Sequence, residues 1–325
     1  MTLYLMVLEP LEDRYTGQWY EWFPQTLAEM DVDYEVIEGD DTDHELEGEY
    51  FLDPVGTNYY KLTQMAKLVE KLDELEADDT VFFFDLWYPG LEILPYVQHM
   101  TDMEFNIAGC LHAGTYDPAD LTAQNGMESF GSKLEESWFS VVDDIFVASE
   151  FHKQLITDSR IVDESKLHVT GLPVDVDGMA AKHAVTERED RIAFTGRKSE
   201  EKGIELVREL QDEGYPVEVT LDYDMDKEEY YDFLAKSKGV IAPCDQETFG
   251  YGVVEAMALD VTPIVPDKLS YKDIVPKRFR YEDEEEARRR IEQVLSSEPI
   301  PTRHYAMQFQ HQDVIKRMVD HVNGN

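Results

Sequence analysis

The chain has 325 residues, of which 70 are Asp or Glu against 29 Lys or Arg, giving a formal net charge of −41, with 42% hydrophobic residues and two cysteines. This length fits two domains, because single cores stop growing at roughly 250–300 residues. Cys110 and Cys244 are too few for a disulfide framework or a zinc site and sit in apolar runs that suit inert core thiols.

No stretch approaches the ~20 apolar residues of a membrane span. The start, MTLYLMVLEPLEDRY, carries acid where a signal peptide carries base. A Lys/Arg-rich amphipathic stretch for docking on anionic lipid is also lacking. The acids are spread along the chain, as in AEMDVDYEVIEGDDTDHELEGE and YEDEEEARRR, and are not gathered in a tail. At 1 M salt the screening length falls to about 3 Å, and the self-repulsion of such a surface largely vanishes. The charge therefore reads as surface adaptation of a cytoplasmic protein from a high-salt organism or its virus, with an ordinary acidic protein as the alternative. Nucleic acid is disfavoured as a partner, since no basic path is evident.

In chain order, residues 3–8 form the first strand, followed by a loop with Gly17, an amphipathic helix around 19–30 and a strand at 34–37, a β-α-β start. Residues 61–75 have helical apolar spacing. Residues 81–86 are a continuous buried strand that runs into Asp85-Leu86-Trp87-Tyr88-Pro89-Gly90. The next strand, 106–111, ends at His112. Parallel strands share polarity, so both ends open on one crevice, where Trp87 and Tyr88 are placed to stack on a ligand face or to cap the sheet core. A strand-end His followed by Ala-Gly fits close approach to a ligand. A strand at 145–148 and a helix from 149 follow, and 169–172 close the first domain. Residues 173–190 lack sustained periodicity and carry Pro, Gly and charge, which suits a hinge. The second domain has strands at 192–194, 217–221, 240–242 and 263–265 with helices between them, and 304–322 is an amphipathic C-terminal helix.

Two segments carry chemistry. In RIAFTGRKSEEKGIELVREL an apolar strand ends in Thr195-Gly196, and Arg197 and Lys202 precede an amphipathic helix. Cations just past a strand's carboxyl end converge on the ligand crevice of an open α/β sheet, and a diphosphate suits that pair. They equally suit pairing with Glu200, Glu201 or Glu205 on an exposed helix start. In CDQETFGYGVVEAMALDVTPIVPD, Glu247 and Glu255 lie eight positions apart around a Gly-containing turn that leads into a helix. The N–H groups of Phe249, Gly250 and Tyr251 and the positive helix end suit an anionic, hydroxyl-rich ligand, and each carboxylate can accept from two vicinal hydroxyls. That describes a sugar joined to a nucleotide; an acidic loop before a buried helix is the plainer alternative.

GRKSEEKG from Gly196 resembles the phosphate-binding segment of the retaining glycosyltransferases of family 4, and ETFGYGVVEAMALDVTPIV resembles their glutamate-x7-glutamate motif. DDIFVASEFHKQLI with KLHVTGLPVD resembles the passage into that family's interdomain linker, and FNIAGCLHAGTY resembles its strand ending in a sugar-facing histidine. The resemblance is strongest over 143–275. It implies an α/β protein of GT-B fold, with two Rossmann-like domains facing a central cleft and a C-terminal helix crossing back to the first. The domains are 1–172 (with helix 303–325), a linker at 173–190, and a nucleotide-sugar-binding domain at 191–302. It further implies transfer of a hexose-like sugar from a nucleoside-diphosphate sugar to a saccharide, lipid-linked or polymer acceptor, with retention of anomeric configuration. His112, Arg197, Lys202 and Glu247 take the catalytic positions. Gly17, Gly196, Thr248, Phe249, Gly250, Tyr251 and Glu255 take the donor-binding ones, and Trp87 and Tyr88 the acceptor face.

No cofactor or metal is called for, since the two cations take the electrostatic role of a divalent ion. The segment DYDMD (222–226), similar to a metal motif of other transferases, reads as a charged loop before a helix. Two departures stand out. Gly17 is the only glycine of a first loop that is Gly-rich in the family, and the region between 213 and 240 has room for one strand and one helix only. Two alternatives remain. One is a compact viral-type enzyme modifying a DNA base or another polymer; the other is an inactive GT-B binding protein, against which Arg197, Lys202, Glu247 and Glu255 argue.

Overall fold

The computed structural model describes residues 1–9, 15–41 and 53–324, and the chain divides into two compact units. Unit 1 comprises Met1–Val147, Leu155–Val169 and Ile315–Asn325; unit 2 comprises Ala148–Gln154 and Thr170–Val314. The expected loop between the first strand and the first helix falls largely on 10–14, outside the described residues.

Up to residue 169 the elements are β1 (Thr2–Met6), α1 (Tyr15–Glu29), β2 (Asp33–Ile37), α2 (Gly56–Lys71), β3 (Thr80–Phe83), α3 (Ile93–Met100), β4 (Asn106–Cys110), α4 (Leu121–Gln124), α5 (Glu128–Val141), β5 (Asp144–Val147), α6 (Glu150–Ser159) and β6 (Leu167–Val169). Among the described residues the six strands form one parallel sheet in the order β2-β1-β3-β4-β5-β6. Both faces are covered, which is why the strands read as unbroken apolar runs. Val81, Phe83, Ile145 and Val147 point into a core shared with Met65 and Leu68 of α2 and Trp138 of α5. On the other face the ring of Phe23 in α1 lies 5.6 Å from Phe82 and 4.4 Å from Phe84. The same face receives α14 (His311–Val322) from Ile315 onward, where Met318 Sδ sits 3.9 Å from Cys110 Sγ and the His321 ring stacks 4.1 Å from His168. The C-terminal helix thus returns to the first sheet, as expected.

Unit 2 continues with α7 (Val176–His183), β7 (Glu189–Phe194), α8 (Ile204–Asp212), β8 (Val217–Val219), α9 (Lys227–Lys236), β9 (Ser237–Ile241), α10 (Tyr251–Ala258), β10 (Thr262–Pro266), α11 (Tyr271–Ile274), β11 (Arg280–Tyr281), α12 (Glu284–Ser296) and α13 (Arg303–Ala306). Its five strands are parallel in the order β11-β10-β9-β7-β8. One face packs α8 and α12 through Ile204, Val207, Leu210, Ala287 and Ile291. On the other, α10 packs against α7, α9 and α13.

The stretch 173–190, read from sequence as a hinge, contains α7, capped by Asp175 accepting from Gly178 N at 3.0 Å. Between α8 and β9 lie one strand, β8, and one helix, α9, as the spacing predicts. In each sheet the strand order reverses at the first strand of the unit, between β1 and β3 and between β7 and β9. Ligands of open α/β sheets bind outside the carboxyl ends of strands at such points.

Candidate functional site

The two motif segments of unit 2 meet at the carboxyl end of β7. Past Phe194 the chain runs through Thr195 and Gly196 into a 3-10 turn, Glu200–Lys202, before α8 begins. The α10 segment approaches this loop closely: a Cβ at Gly252 would lie 2.2 Å from Thr195 Oγ1, so only glycine fits there. Gly250 has φ +89° and opens α10 with a left-handed residue, a conformation a side chain would strain.

Lys202 crosses from the α8 start to the residues after β9. Its ammonium donates to Gln246 O at 2.7 Å and Gln246 Oε1 at 3.0 Å, and pairs with Glu247 Oε2 at 3.3 Å. With 14% of the side chain exposed, it is a partly desolvated cation, worth more to an anion than a surface lysine. Glu247 Oε1 accepts from Phe249 N at 3.3 Å. That N–H, expected to face a ligand, therefore serves to orient Glu247. Phe249 itself is buried, its ring edge-on to Tyr251 and Phe309 at 5.0 Å each. Thr248 O accepts from Ser149 Oγ at 2.9 Å.

Arg197 lies in the same loop and makes the local pair with Glu201 at 3.0 Å that an exposed helix start would give. Glu201 also accepts from Ser199 Oγ at 2.6 Å. Lys202 does not follow that local pattern, since its carboxylate partner is 45 residues away. Glu255 turns toward α9. It is 4% exposed, and its carboxylate accepts from Lys227 Nζ at 2.8 Å and from the hydroxyls of Tyr230 and Tyr231 at 3.0 Å each. Two of the acids of DYDMD serve structure: Asp222 pairs with Lys198, and Asp226 forms a capping box with Glu229 at the start of α9. Tyr223 donates to Glu218 at 2.7 Å. Cys244, just before the motif, is a buried thiol pushed up to about 12 by burial.

In unit 1, His112 follows β4, and its Nε2 contacts Phe84 O at 2.7 Å. A carbonyl only accepts, so this nitrogen carries the proton and Nδ1 is the acceptor of the neutral ring. Tyr15 and Trp19 flank the ring at 5.5 and 5.1 Å. Burial lowers its pKa, an effect partly opposed by the neighbouring Asp85 carboxylate. Gly17 lies in the first turn of α1 and not in a loop, because that helix begins at Tyr15. Trp87 is half-buried, donates Nε1–H to Glu135 at 3.0 Å and packs edge-on against Trp138.

Tyr88, expected on an acceptor face, is corrected by its packing. It is 2% exposed in the core, and its hydroxyl shares its one proton between Lys61 O and Gln64 Oε1, the latter at 2.8 Å. An aromatic next to a strand end gains more from burial than from exposure, and its hydroxyl has partners inside.

Sequence reasoning assigned no role to Asp85, although it stands two residues past the carboxyl end of β3. Its carboxylate pairs with buried Lys61 at 3.2 Å and accepts from Trp87 N at 3.1 Å. Lys227 and Tyr230 were also passed over, since nothing local in KEEYY marks them out.

No protein-family profile matches the chain, and no curated protein matches it in sequence. Solved structures do match over its whole length. Sucrose-phosphate synthase from Thermosynechococcus elongatus shares 13% identity at a TM-score of 0.69, covering 100% of this chain and 98% of that one. An α,α-trehalose-phosphate synthase (UDP-forming) from Burkholderia vietnamiensis shares 10% at 0.65, covering 100% and 99%. The lipopolysaccharide outer core galactosyltransferase WaaB, in its apo form, shares 10% at 0.63, again covering 100% and 99%. At these identities the likeness speaks for architecture, and the architecture is GT-B.

Proposed function

We propose that the chain transfers a sugar from a nucleoside-diphosphate sugar to an acceptor hydroxyl, with retention of anomeric configuration. The observation that carries this is the convergence of Lys202 and Glu247, a partly desolvated cation and a carboxylate from distant segments, at the carboxyl end of β7 beside the N-terminus of α10. The structural neighbours named above are synthases of sugar phosphates and a galactosyltransferase, which supports the same chemistry.

Departure of a nucleoside diphosphate leaves positive charge at the anomeric carbon and negative charge on the phosphates. Lys202 and Arg197 stabilise the departing diphosphate by charge already in place, an effect worth several kcal/mol in comparable sites. Glu247 accepts from sugar hydroxyls, and Glu255 takes the ribose. Gly196, Thr248, Gly250 and Tyr251 line the donor; Gly17 and His112 of unit 1 are assigned to its phosphate and to the reacting face of the sugar. Trp87 keeps its assignment to the acceptor. No carboxylate of the motifs is placed as a nucleophile, so retention is assigned to front-side attack without a covalent intermediate. The two cations serve where other transferases use a divalent ion, and the reading requires no metal.

A thermal-shift screen of nucleoside diphosphates and their sugars in molar KCl tests this. A ligand at 100 times its Kd stabilises by about 2.7 kcal/mol, or roughly 5–10 °C for a unit of this size. The shift is expected to shrink in Arg197→Ala and in Lys202→Met. Absence of any shift, or one indifferent to both substitutions, refutes the assignment.

A further inference from the structure

The carboxylate of Glu255 is already occupied. Oε1 accepts from Lys227 Nζ at 2.8 Å and from Tyr231 OH at 3.0 Å; Oε2 accepts from Tyr230 OH at 3.0 Å. A carboxylate offers roughly four acceptor positions, so three are filled and a bidentate grip on two vicinal hydroxyls has no room. Tyr231 is 5% exposed and fixed within unit 2, whereas the Lys227 side chain is 23% exposed and Tyr230 is half-buried. The two partners that reach solvent are therefore Lys227 and Tyr230. The Lys227 ammonium also lies 4.9 Å from the Tyr230 ring and 4.8 Å from the Tyr231 ring, a carboxylate-and-aromatic cradle that holds a cation well.

Resting on the ribose role assigned to Glu255 above, we propose that Lys227 and Tyr230 form a displaceable cap over this carboxylate that makes the subsite selective for phosphorylated nucleosides. A ribose replaces the Lys227 ammonium and the Tyr230 hydroxyl on Glu255. Parting the ammonium from a buried carboxylate forfeits their mutual attraction, and an anion arriving with the ligand restores a partner to the ammonium. A nucleoside diphosphate brings that anion with it; a neutral nucleoside does not and must bear the full cost of breaking the pair. Lys227 thus converts the sugar-binding acid into a sensor of the attached phosphate.

The test is calorimetric titration of the full chain in molar KCl with uridine, guanosine and adenosine and their diphosphates. For the base that binds, the wild type is expected to prefer the diphosphate strongly. Lys227→Met narrows that preference at least tenfold, by tightening the nucleoside and weakening the diphosphate. Tyr230→Phe, which removes one donor without changing charge, tightens the nucleoside a few-fold and guards against a folding defect in the lysine variant. Glu255→Gln weakens both ligands. An unchanged preference in Lys227→Met, or unchanged binding in Glu255→Gln, shows that this cluster only holds α9 to α10 and overturns the proposal. If Arg197→Ala and Lys202→Met still weaken the diphosphate in that case, the transferase reading stands without the cap. If the wild type binds none of the diphosphates, both fall.

Discussion

Removing the carboxylate of Glu135 is expected to destabilise unit 1 severely and to loosen the loop after His112. Glu135 on α5 has no solvent exposure. It accepts from Thr115 N, from Thr115 Oγ1 at 2.9 Å, from Trp87 Nε1 at 3.0 Å and from Arg160 Nε at 2.7 Å. Arg160, 5% exposed in its side chain, also donates from Nη2 to Thr115 Oγ1 at 2.9 Å. Thr115 stands three residues after His112, so the ion pair anchors the loop that leaves the β4 edge. Glu135→Gln keeps the shape but leaves the guanidinium buried without its counter-charge. Breaking a buried pair from one side costs about 3–5 kcal/mol, a fall in Tm of roughly 6–20 °C for a unit of this size.

The four tryptophans, Trp19, Trp22, Trp87 and Trp138, all belong to unit 1, so their fluorescence in a urea titration reports that unit alone. A double-mutant cycle of Glu135→Gln with Arg160→Met is expected to show coupling of about 2 kcal/mol or more, within the range for residues of one network. Additivity within about 0.5 kcal/mol, or a loss below about 1 kcal/mol for Glu135→Gln, refutes the reasoning.

Two further outcomes follow from charge. Burial lowers the pKa of His112 in the folded chain, so near and below the ordinary value of about 6.5 the unfolded chain binds the extra proton. Neutral His112 is accommodated fully above that range, and stability falls as pH drops through it. A ring titration by NMR, assigned with His112→Gln, should show a midpoint below 6.5; a midpoint at or above it contradicts the burial argument. With a formal net charge of −41, the thermal midpoint should climb steadily from 0.1 M to above 1 M KCl as the screening length falls from about 10 Å to about 3 Å. A midpoint indifferent to salt argues for an ordinary acidic protein.

The two-unit division followed from chain length, and the return of the C-terminal helix from the family resemblance. The alternating strands and helices and the glycine turns after β7 and β9 were legible in the amino-acid order itself, through short-range patterns: apolar runs for strands buried on both faces, 3.6-residue spacing for helices, and glycine where the backbone turns or approaches closely. Which charge meets which was not legible. Lys202 bypasses three nearby glutamates for Glu247, Glu255 is taken by a lysine 28 residues before it, and Glu135 finds Arg160 just past the end of α6. The aromatic ring of Tyr88, equally suited by sequence to a ligand face or to the core, lies in the core. Those choices belong to tertiary packing, because a carboxylate removed from water pairs with whichever donors the fold brings within about 3 Å, and separation along the chain does not decide that.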